Sequence, residues 1–95
     1  MIQKKCFYVS PDGKEGAAGT KEDPMDIYSV VKYAQPGQYI TLLNGTYTGS
    51  DVKINYSVSG TADKHIKLVA EEANKVIFDG MGLNISGSYW DVYGI

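Results

Sequence analysis

The segment from Ile66 to Ile95 constrains the fold more than any other part of the chain. It contains four short stretches in which apolar residues recur at every second position, the pattern of a strand with one buried face. Turn-type residues separate these stretches, and the separators are too short for crossover helices and only weakly resemble hairpin turns. A chain that turns about every eight to twelve residues without reversing is coiling, which predicts a solenoid of parallel strands. The stretches are Ile66/Leu68, Val76/Phe78, Leu83/Ile85 and Trp90/Val92.

The residues before this segment extend the same pattern toward the N-terminus. A first strand is predicted at Lys5–Ser10, followed by the polar, glycine-rich loop Gly13–Asp23. Further strands are predicted at Ile40/Leu42 and Val52/Ile54, on either side of a turn at Asn44-Gly45-Thr46. The apolar pairs from Ile40 onward are expected to point into one continuous core.

The spacing of the strand-like stretches indicates a repeat of about 24 residues. Ile40 and Ile66 are 26 residues apart, and Ile66 and Trp90 are 24 apart. Val52 and Val76 are again 24 apart. Such a period, with two or three strands in each turn, is what one coil of a parallel β-helix needs.

One helix is predicted, at Asp26–Ala34. Asp26 is a suitable N-cap, and the apolar residues that follow fall on one helical face. Pro36 disfavours helical geometry at the residue before it and so ends the helix. A helix this short needs a packing partner, and we expect it to cover the N-terminal end of the core; a surface helix on a small α+β domain is the alternative.

Composition narrows the class of protein. The 95 residues carry 43% hydrophobic residues and a net charge of −2, with no arginine, which argues against nucleic acid or a membrane surface as a partner. No apolar run is long enough to span a bilayer, and no signal peptide is visible. The single cysteine, Cys6, cannot form an internal disulfide, and its strand-like neighbours suggest a buried thiol.

Several motifs carry a resemblance to a known family. They are YVSPDG, the GTKEDP loop, the short helix ending in PG, the GTY turn, SGTADK, IFDG and SGSYW followed by VYGI. In this order and spacing, from Phe7 to Ile95, the chain resembles the N-terminal region of right-handed parallel β-helix polysaccharide lyases, most closely the family-9 pectate lyases. His65 departs from the pattern, because it stands where the family usually has proline.

The resemblance implies a fold and an activity. The fold is all-β, a right-handed parallel β-helix whose first two to three coils and short capping helix occupy residues 1–95, shortened at the C-terminal end. The activity is calcium-assisted β-elimination of a uronic-acid polysaccharide such as pectin, by an extracellular protein, in which aspartates hold calcium and a lysine or arginine takes the C5 proton. These groups are expected on later coils, so we assign no catalytic and no metal-binding residue to this chain.

The residues themselves offer few candidate sites. Asp79 and Asp91 look isolated, and Glu71-Glu72 reads as a solvated turn, so no calcium ligand set is predicted. His65 could be a base but has no visible partner in the sequence, which favours a turn role. Lys53 and Lys67 are predicted on the outward faces of their strands, and Asn84 could belong to an asparagine stack inside a coil.

Aromatic residues near the C-terminus form the one candidate for sugar binding. By strand alternation Trp90 and Val92 should point into the core, which leaves Tyr89, Asp91 and Tyr93 outward. We interpret these three residues as a fragment of a glycan-binding groove.

Three hypotheses remain open from the sequence. The chain is the opening part of a pectate-lyase-like enzyme and inactive alone, or a non-catalytic β-helix module that binds glycan or serves as a scaffold, or an incomplete piece with no function of its own. Because its last predicted strand, Tyr89–Ile95, leaves an open edge with little charge, we expect the isolated chain to self-associate.

Overall fold

The computed structural model describes residues 6–94 as a stack of short parallel strands with one helix near its beginning. Each strand pairing in this part of the chain is parallel, which confirms the predicted solenoid. None of the described helices has the length and apolar character to cross a bilayer. In chain order the elements are β1 (Cys6–Val9), α1 (Ile27–Tyr33), β2 (Tyr39–Leu42), β3 (Gly45–Tyr47), β4 (Val52–Ile54), β5 (Ile66–Ala70), β6 (Val76–Phe78), β7 (Leu83–Ile85) and β8 (Trp90–Tyr93).

The strands form three sheets that run along the stack. The first sheet has the order β1-β2-β5-β8, the second pairs β3 with β6, and the third pairs β4 with β7. Two complete coils, β2-β3-β4 and β5-β6-β7, therefore lie between a first coil that begins with β1 and a further coil that begins with β8. This arrangement agrees with the prediction of two to three coils.

The repeat is less regular than predicted. In the first sheet Ile40 pairs with Leu68 and Leu68 with Val92, so the coil lengths are 28 and 24 residues. The predicted equivalence of Val52 and Val76 was wrong, because these residues lie in different sheets. The connection before β5 runs from residue 55 to 65, whereas the one before β8 covers only residues 86–89. Because these loops differ in length, the number of residues per coil is not constant along the sequence.

The segment around Gly45 was also predicted wrongly, as a turn. Gly45–Tyr47 is strand β3, which pairs with β6 from Val76 onward. Gly45 has a φ of 146°, and a Cβ at this position would lie 2.7 Å from Cγ of Pro11. The glycine is therefore needed for a close approach between chain segments, and not for a reversal of the chain.

The core lies between the three sheets, and most of the predicted inward residues fill it. Val92 is the exception: it stands next to Leu68 in register but is 39% exposed, because no described strand follows β8 on that side. The buried predicted residues are Ile40, Leu42, Val52, Ile54, Ile66, Leu68 and Val76. Those partly buried against this core are Phe78, Leu83, Ile85 and Trp90.

Two further predictions about side-chain placement were wrong. Cys6 is exposed, because Val9 takes the inward face of β1 and Cys6 stands beside Tyr39 on the outward face. Asn84 is also exposed and lies opposite Lys53 across β4 and β7, so it does not form a stack inside the coil. Lys5, at the start of the predicted first strand, and Ile95, at the end of the last one, lie outside the described residues.

Helix α1 forms where it was predicted and packs at the N-terminal end of the stack. The Asp26 carboxylate accepts a hydrogen bond from the Ser29 backbone N–H at 3.1 Å, and the chain leaves the helix at Ala34 with an extended ψ of 141°. Val30 and Val31 are buried in the core cluster, and the helix contacts β1 and β4. It thus covers the part of the first coil in which the described residues form no second or third strand.

Tyr47 connects this first coil to the next. Its ring is buried and meets Phe78 edge-on, with 5.6 Å between centroids. Its hydroxyl lies 2.8 Å from the Leu43 carbonyl oxygen and 3.0 Å from that of Val9. Burial raises the pKa of the Tyr47 hydroxyl far above its usual range, so the group stays protonated and donates to these carbonyls.

The packing of α1 gives a first prediction. Val30→Asp places a charge at a position that is 2% exposed and should lower the free energy of unfolding by about 3 kcal/mol or more. Tyr33→Asp, on the same helix but 65% exposed, should change it by less than about 1 kcal/mol. Urea titration measures the free energy of unfolding of both variants. Equal losses of stability in Val30→Asp and Tyr33→Asp would contradict the capping role of α1.

The Tyr47 contacts give a second prediction. Tyr47→Phe removes the buried donor and should cost about 1 kcal/mol, because two carbonyl oxygens then lose a partner. Tyr56→Phe removes an equivalent hydroxyl from an exposed loop residue and should have no measurable effect. Thermal unfolding followed by circular dichroism compares the two, and an unchanged Tm for Tyr47→Phe would count against the proposed link between coils.

Candidate functional site

The outward side of the first sheet brings the candidate residues into two rows. In each row one residue comes from each of β1, β2, β5 and β8, and neighbours in a row are about 4.8 Å apart. We call this surface the outer face. Its first row is Cys6, Tyr39, Lys67 and Asp91, and its second row is Tyr8, Thr41, Val69 and Tyr93.

The three residues predicted from the sequence do not all lie on this surface. Asp91 and Tyr93 are on the outer face, and Tyr93 is exposed. Tyr89 is exposed too, but it belongs to the turn before β8 and has a φ of 59°, so strand alternation does not set its direction. Its ring lies 5.3 Å from that of His65. Of the three predicted residues, Asp91 and Tyr93 therefore lie on the sheet, and Tyr89 lies in the turn next to it.

His65 and Asp91 form a hydrogen-bonded pair, so their predicted isolation was wrong. Nδ1 of His65 lies 2.9 Å from Oδ2 of Asp91. An ionised carboxylate only accepts hydrogen bonds, so Nδ1 carries the proton. The two residues are 26 positions apart in the sequence, and the coil places the residue before β5 beside the second residue of β8. Within residues 6–94 no hydroxyl or thiol is hydrogen-bonded to His65.

Lys67 was predicted to face outward and does so, in contact with Tyr39. Its Nζ donates to the Tyr39 hydroxyl at 3.2 Å and stands 5.1 Å from the centre of that ring. The hydrogen bond from Lys67 to Tyr39 raises the pKa of the ammonium, and the carboxylate charge of Asp91 adds a smaller effect in the same direction.

The charges on the outer face do not neutralise one another directly. Lys67 and Asp91 are neighbours in register, yet the ion pairs found within residues 6–94 are His65–Asp91 and Lys21–Glu71. The ammonium of Lys67 turns to the preceding strand, and the carboxylate of Asp91 turns to the residue before β5. The lysine thus keeps its positive charge without a carboxylate within 4.0 Å in the described structure.

The described residues do not provide a fitting site for calcium. Across residues 6–94 no group of three or more His, Cys, Asp or Glu side chains converges. Calcium takes about six to eight oxygen ligands. The adjacent carboxylates of Glu71 and Glu72 are already engaged by other side chains. Glu71 pairs with Lys21 at 2.8 Å, and Glu72 accepts a hydrogen bond from Asn44 at 2.8 Å.

Comparison with known proteins places this architecture in a family. Residues 7–95 match the family model described as the Pel9A-like, right-handed β-helix region. The chain belongs to this family. A solved structure, the crystal structure of pectate lyase Pel9A, superposes with a TM-score of 0.80 at 26% identity, covering 99% of this chain and 28% of that one. The predicted family and the right-handed β-helix are both confirmed.

Curated relatives extend the comparison. Pectate lyase L from Thermoclostridium stercorarium is 38% identical over 94 residues, which cover 94% of this chain and 8% of the relative. Pectate lyase PEL9 from Emericella nidulans is 45% identical over 75 residues, 78% of this chain and 18% of the relative. The chain therefore spans less than a fifth of the length of these two relatives.

The His65–Asp91 pair gives a third prediction. Both side chains are partly exposed, so a double-mutant cycle with His65→Gln and Asp91→Asn should give a coupling of about 0.5 kcal/mol. Urea unfolding of the two single variants and the double variant measures it. A coupling above about 2 kcal/mol would mean that the pair is a main structural link between β5 and β8.

Proposed function

We propose that this chain supplies the N-terminal cap and opening coils of a pectate-lyase-like enzyme, whose catalytic groups lie on coils outside residues 6–94. The observation that carries the proposal is the agreement of family and fold over almost the whole chain, at 38% identity to one pectate lyase and a TM-score of 0.80 to another. The lack of a calcium-fitting cluster within the described residues supports a site elsewhere.

The reaction that we propose for the whole protein is β-elimination on a uronic-acid polysaccharide. A base takes the proton from C5, the C4–O bond breaks, and a C4–C5 double bond forms while the leaving oxygen gains a proton. Removal of the C5 proton is difficult because negative charge develops next to the uronate carboxylate, and we propose that calcium, held by other residues, assists it. This chain's own contribution is to close the end of the core that the catalytic coils extend.

The proposed substrate and location follow from this reaction. We propose pectin or a related polyuronate as the substrate, in keeping with the names of the relatives. Because such a polymer is too large to enter a cell, we propose that the protein acts outside it. Self-association of the isolated chain through the open edge of β8 stays a prediction.

A non-catalytic role is the second candidate. Tyr39 and Tyr93 are 41% and 56% exposed on the outer face, beside the charged Lys67. Exposed aromatic rings next to a polar group are a common surface for sugar contact. A module that binds glycan without cleaving it would need only this surface.

A chimera tests the proposal. This chain would replace the matching segment of pectate lyase L from Thermoclostridium stercorarium, and release of unsaturated product from polygalacturonate with calcium would be followed by absorbance. We expect the chimera to be active and the 95-residue chain alone to be inactive. The same chimera with Val30→Asp should lose thermal stability, because the cap no longer covers the core.

Two results would contradict this proposal. Eliminase activity of the isolated chain would place the catalytic groups within it. A chimera that is aggregated, or that is folded but inactive, would mean that the chain cannot serve as the opening of a lyase β-helix. Retention of the inactive chain on polygalacturonate together with an inactive chimera would favour the binding module.

A further inference from the structure

We infer that Asn44-Gly45 is a site of spontaneous deamidation, and that contacts with the following coil slow the reaction in the folded chain. The dipeptide lies at the corner between β2 and β3, where the Asn44 side chain is exposed to water. An asparagine followed by glycine is especially prone to this reaction, because a residue without a side chain leaves its backbone nitrogen open to the neighbouring amide. The inference concerns a covalent modification and does not depend on the proposed lyase function.

The reaction needs water and no other reagent. The backbone nitrogen of Gly45 attacks Cγ of the Asn44 side chain, and the Cγ–Nδ2 bond breaks. The side-chain amide nitrogen takes up the proton of the Gly45 N–H and leaves as ammonia. Water then opens the resulting cyclic imide at either of its carbonyl groups, which gives aspartate or isoaspartate. In isoaspartate the main chain runs through the former side-chain carbonyl and is longer by one methylene group.

The first support is the position of the attacking nitrogen. The Gly45 N–H donates to the Lys75 carbonyl oxygen at 3.0 Å, where the pairing of β3 with β6 begins. Ring closure requires this nitrogen to lose its proton and to turn toward the Asn44 side chain, so the hydrogen bond to Lys75 has to break first. Deamidation of the folded chain therefore requires a local opening between β3 and β6.

The second support is the position of the amide that is attacked. Nδ2 of Asn44 donates to Oε1 of Glu72 at 2.8 Å, and the two residues are 28 positions apart in the sequence. This hydrogen bond directs the Asn44 side chain to the turn between β5 and β6, whereas ring closure requires it to fold back on its own main chain. Both restraints come from the same following coil, so an opening at this corner releases the nitrogen and the amide together.

The third support is that the fold has a use for both residues of the reactive pair. Gly45 has a φ of 146°, and a Cβ there would lie 2.7 Å from Cγ of Pro11, so a larger residue would be strained. Asn44 supplies the side-chain link to Glu72. The structure thus accounts for a reactive sequence at this corner, and the protection comes from contacts with the following coil.

Deamidation would damage the contacts that slow it. Aspartate in place of Asn44 has no side-chain donor for Glu72 and sets two carboxylates opposite each other, which is unfavourable. Isoaspartate lengthens the main chain just before β3 and so displaces Gly45 from its position against Pro11. Each product therefore weakens the contact between the two complete coils.

The test compares deamidation rates at single asparagines. The 95-residue chain would be incubated in mildly alkaline buffer with and without urea, and digested samples would be analysed by mass spectrometry over time. We expect Asn44 to react at least about tenfold more slowly in the folded chain than in urea, because folding restricts the opening that the reaction needs. Asn55 and Asn84, which precede tyrosine and isoleucine, are internal references and should react more slowly than Asn44 in urea.

Matched variants locate the protection. Glu72→Ala removes the acceptor of the Asn44 amide and should raise the rate in the folded chain about two- to fivefold. Glu72→Gln keeps a carbonyl oxygen as acceptor and should restore most of the protection. Glu71→Ala is the control, because Glu71 is the adjacent carboxylate but pairs with Lys21. Circular dichroism confirms that each variant is folded, and if the isolated chain does not fold, the same rates are measured in the chimera.

Each outcome decides the matter. Equal rates at Asn44 with and without urea would overturn the inference, because the fold would then give no protection. A rate in urea no faster at Asn44 than at Asn55 would overturn it as well, because the dipeptide would then not be a reactive site. Equal effects of Glu72→Ala and Glu71→Ala would reject the contact with Glu72 as the source of protection. None of these rates depends on whether the chimera cleaves polygalacturonate, so the inference and the proposed function fail separately.

Discussion

Parallel pairing between successive coils is the interaction on which the rest of this structure depends. A single coil contributes only three short strands and cannot bury its inward side chains alone. Backbone hydrogen bonds such as those from Lys67 N–H to the Gln38 carbonyl oxygen and from Ile66 N–H to that of Tyr89, both 3.0 Å, set which residue stands above which. The same register that stacks Ile40 on Leu68 therefore also builds the outer face, so the core and the candidate site have one origin.

The first described coil, which begins with β1, has no earlier strand among residues 6–94 to pair with. Here the closure combines local and distant contacts. Asp26 caps a helix of seven residues whose apolar side lies on β1 and β4, and Tyr47 donates to the carbonyl of Val9 from the next coil. So short a helix is not stable without tertiary packing, so α1 depends on its contacts with β1 and β4. The first coil is thus held in place by the second.

The sequence predicted the faces of the strands well and their neighbours only in part. The predicted equivalence of Ile66 and Trp90 is confirmed by the register of β5 and β8. Ile40 was aligned with Ile66, whereas the structure pairs it with Leu68. An error of two residues keeps every side chain on its face because the period of a strand is two. Lys67 was correctly placed outward by the alternation of Ile66 and Leu68 within its own strand. Because of the same error, the sequence did not predict that Lys67 stands beside Tyr39. The contact between His65 and Asp91 was not predicted either. Contacts across coils depend on loop lengths, which local patterns do not encode.

The two rows of the outer face follow the same register as the core, but their side chains are not constrained by core packing. Each coil adds one residue to each row of the outer face, so side chains from consecutive coils stand next to one another. Among the eight outer-face positions described here, only Asp91 is acidic, and His65 occupies it. The other seven positions are three tyrosines, one threonine, one lysine, one valine and one cysteine. In a solenoid the outward side chains can change from coil to coil while the core repeats, so the repeated core identifies the fold without fixing the chemistry of each coil.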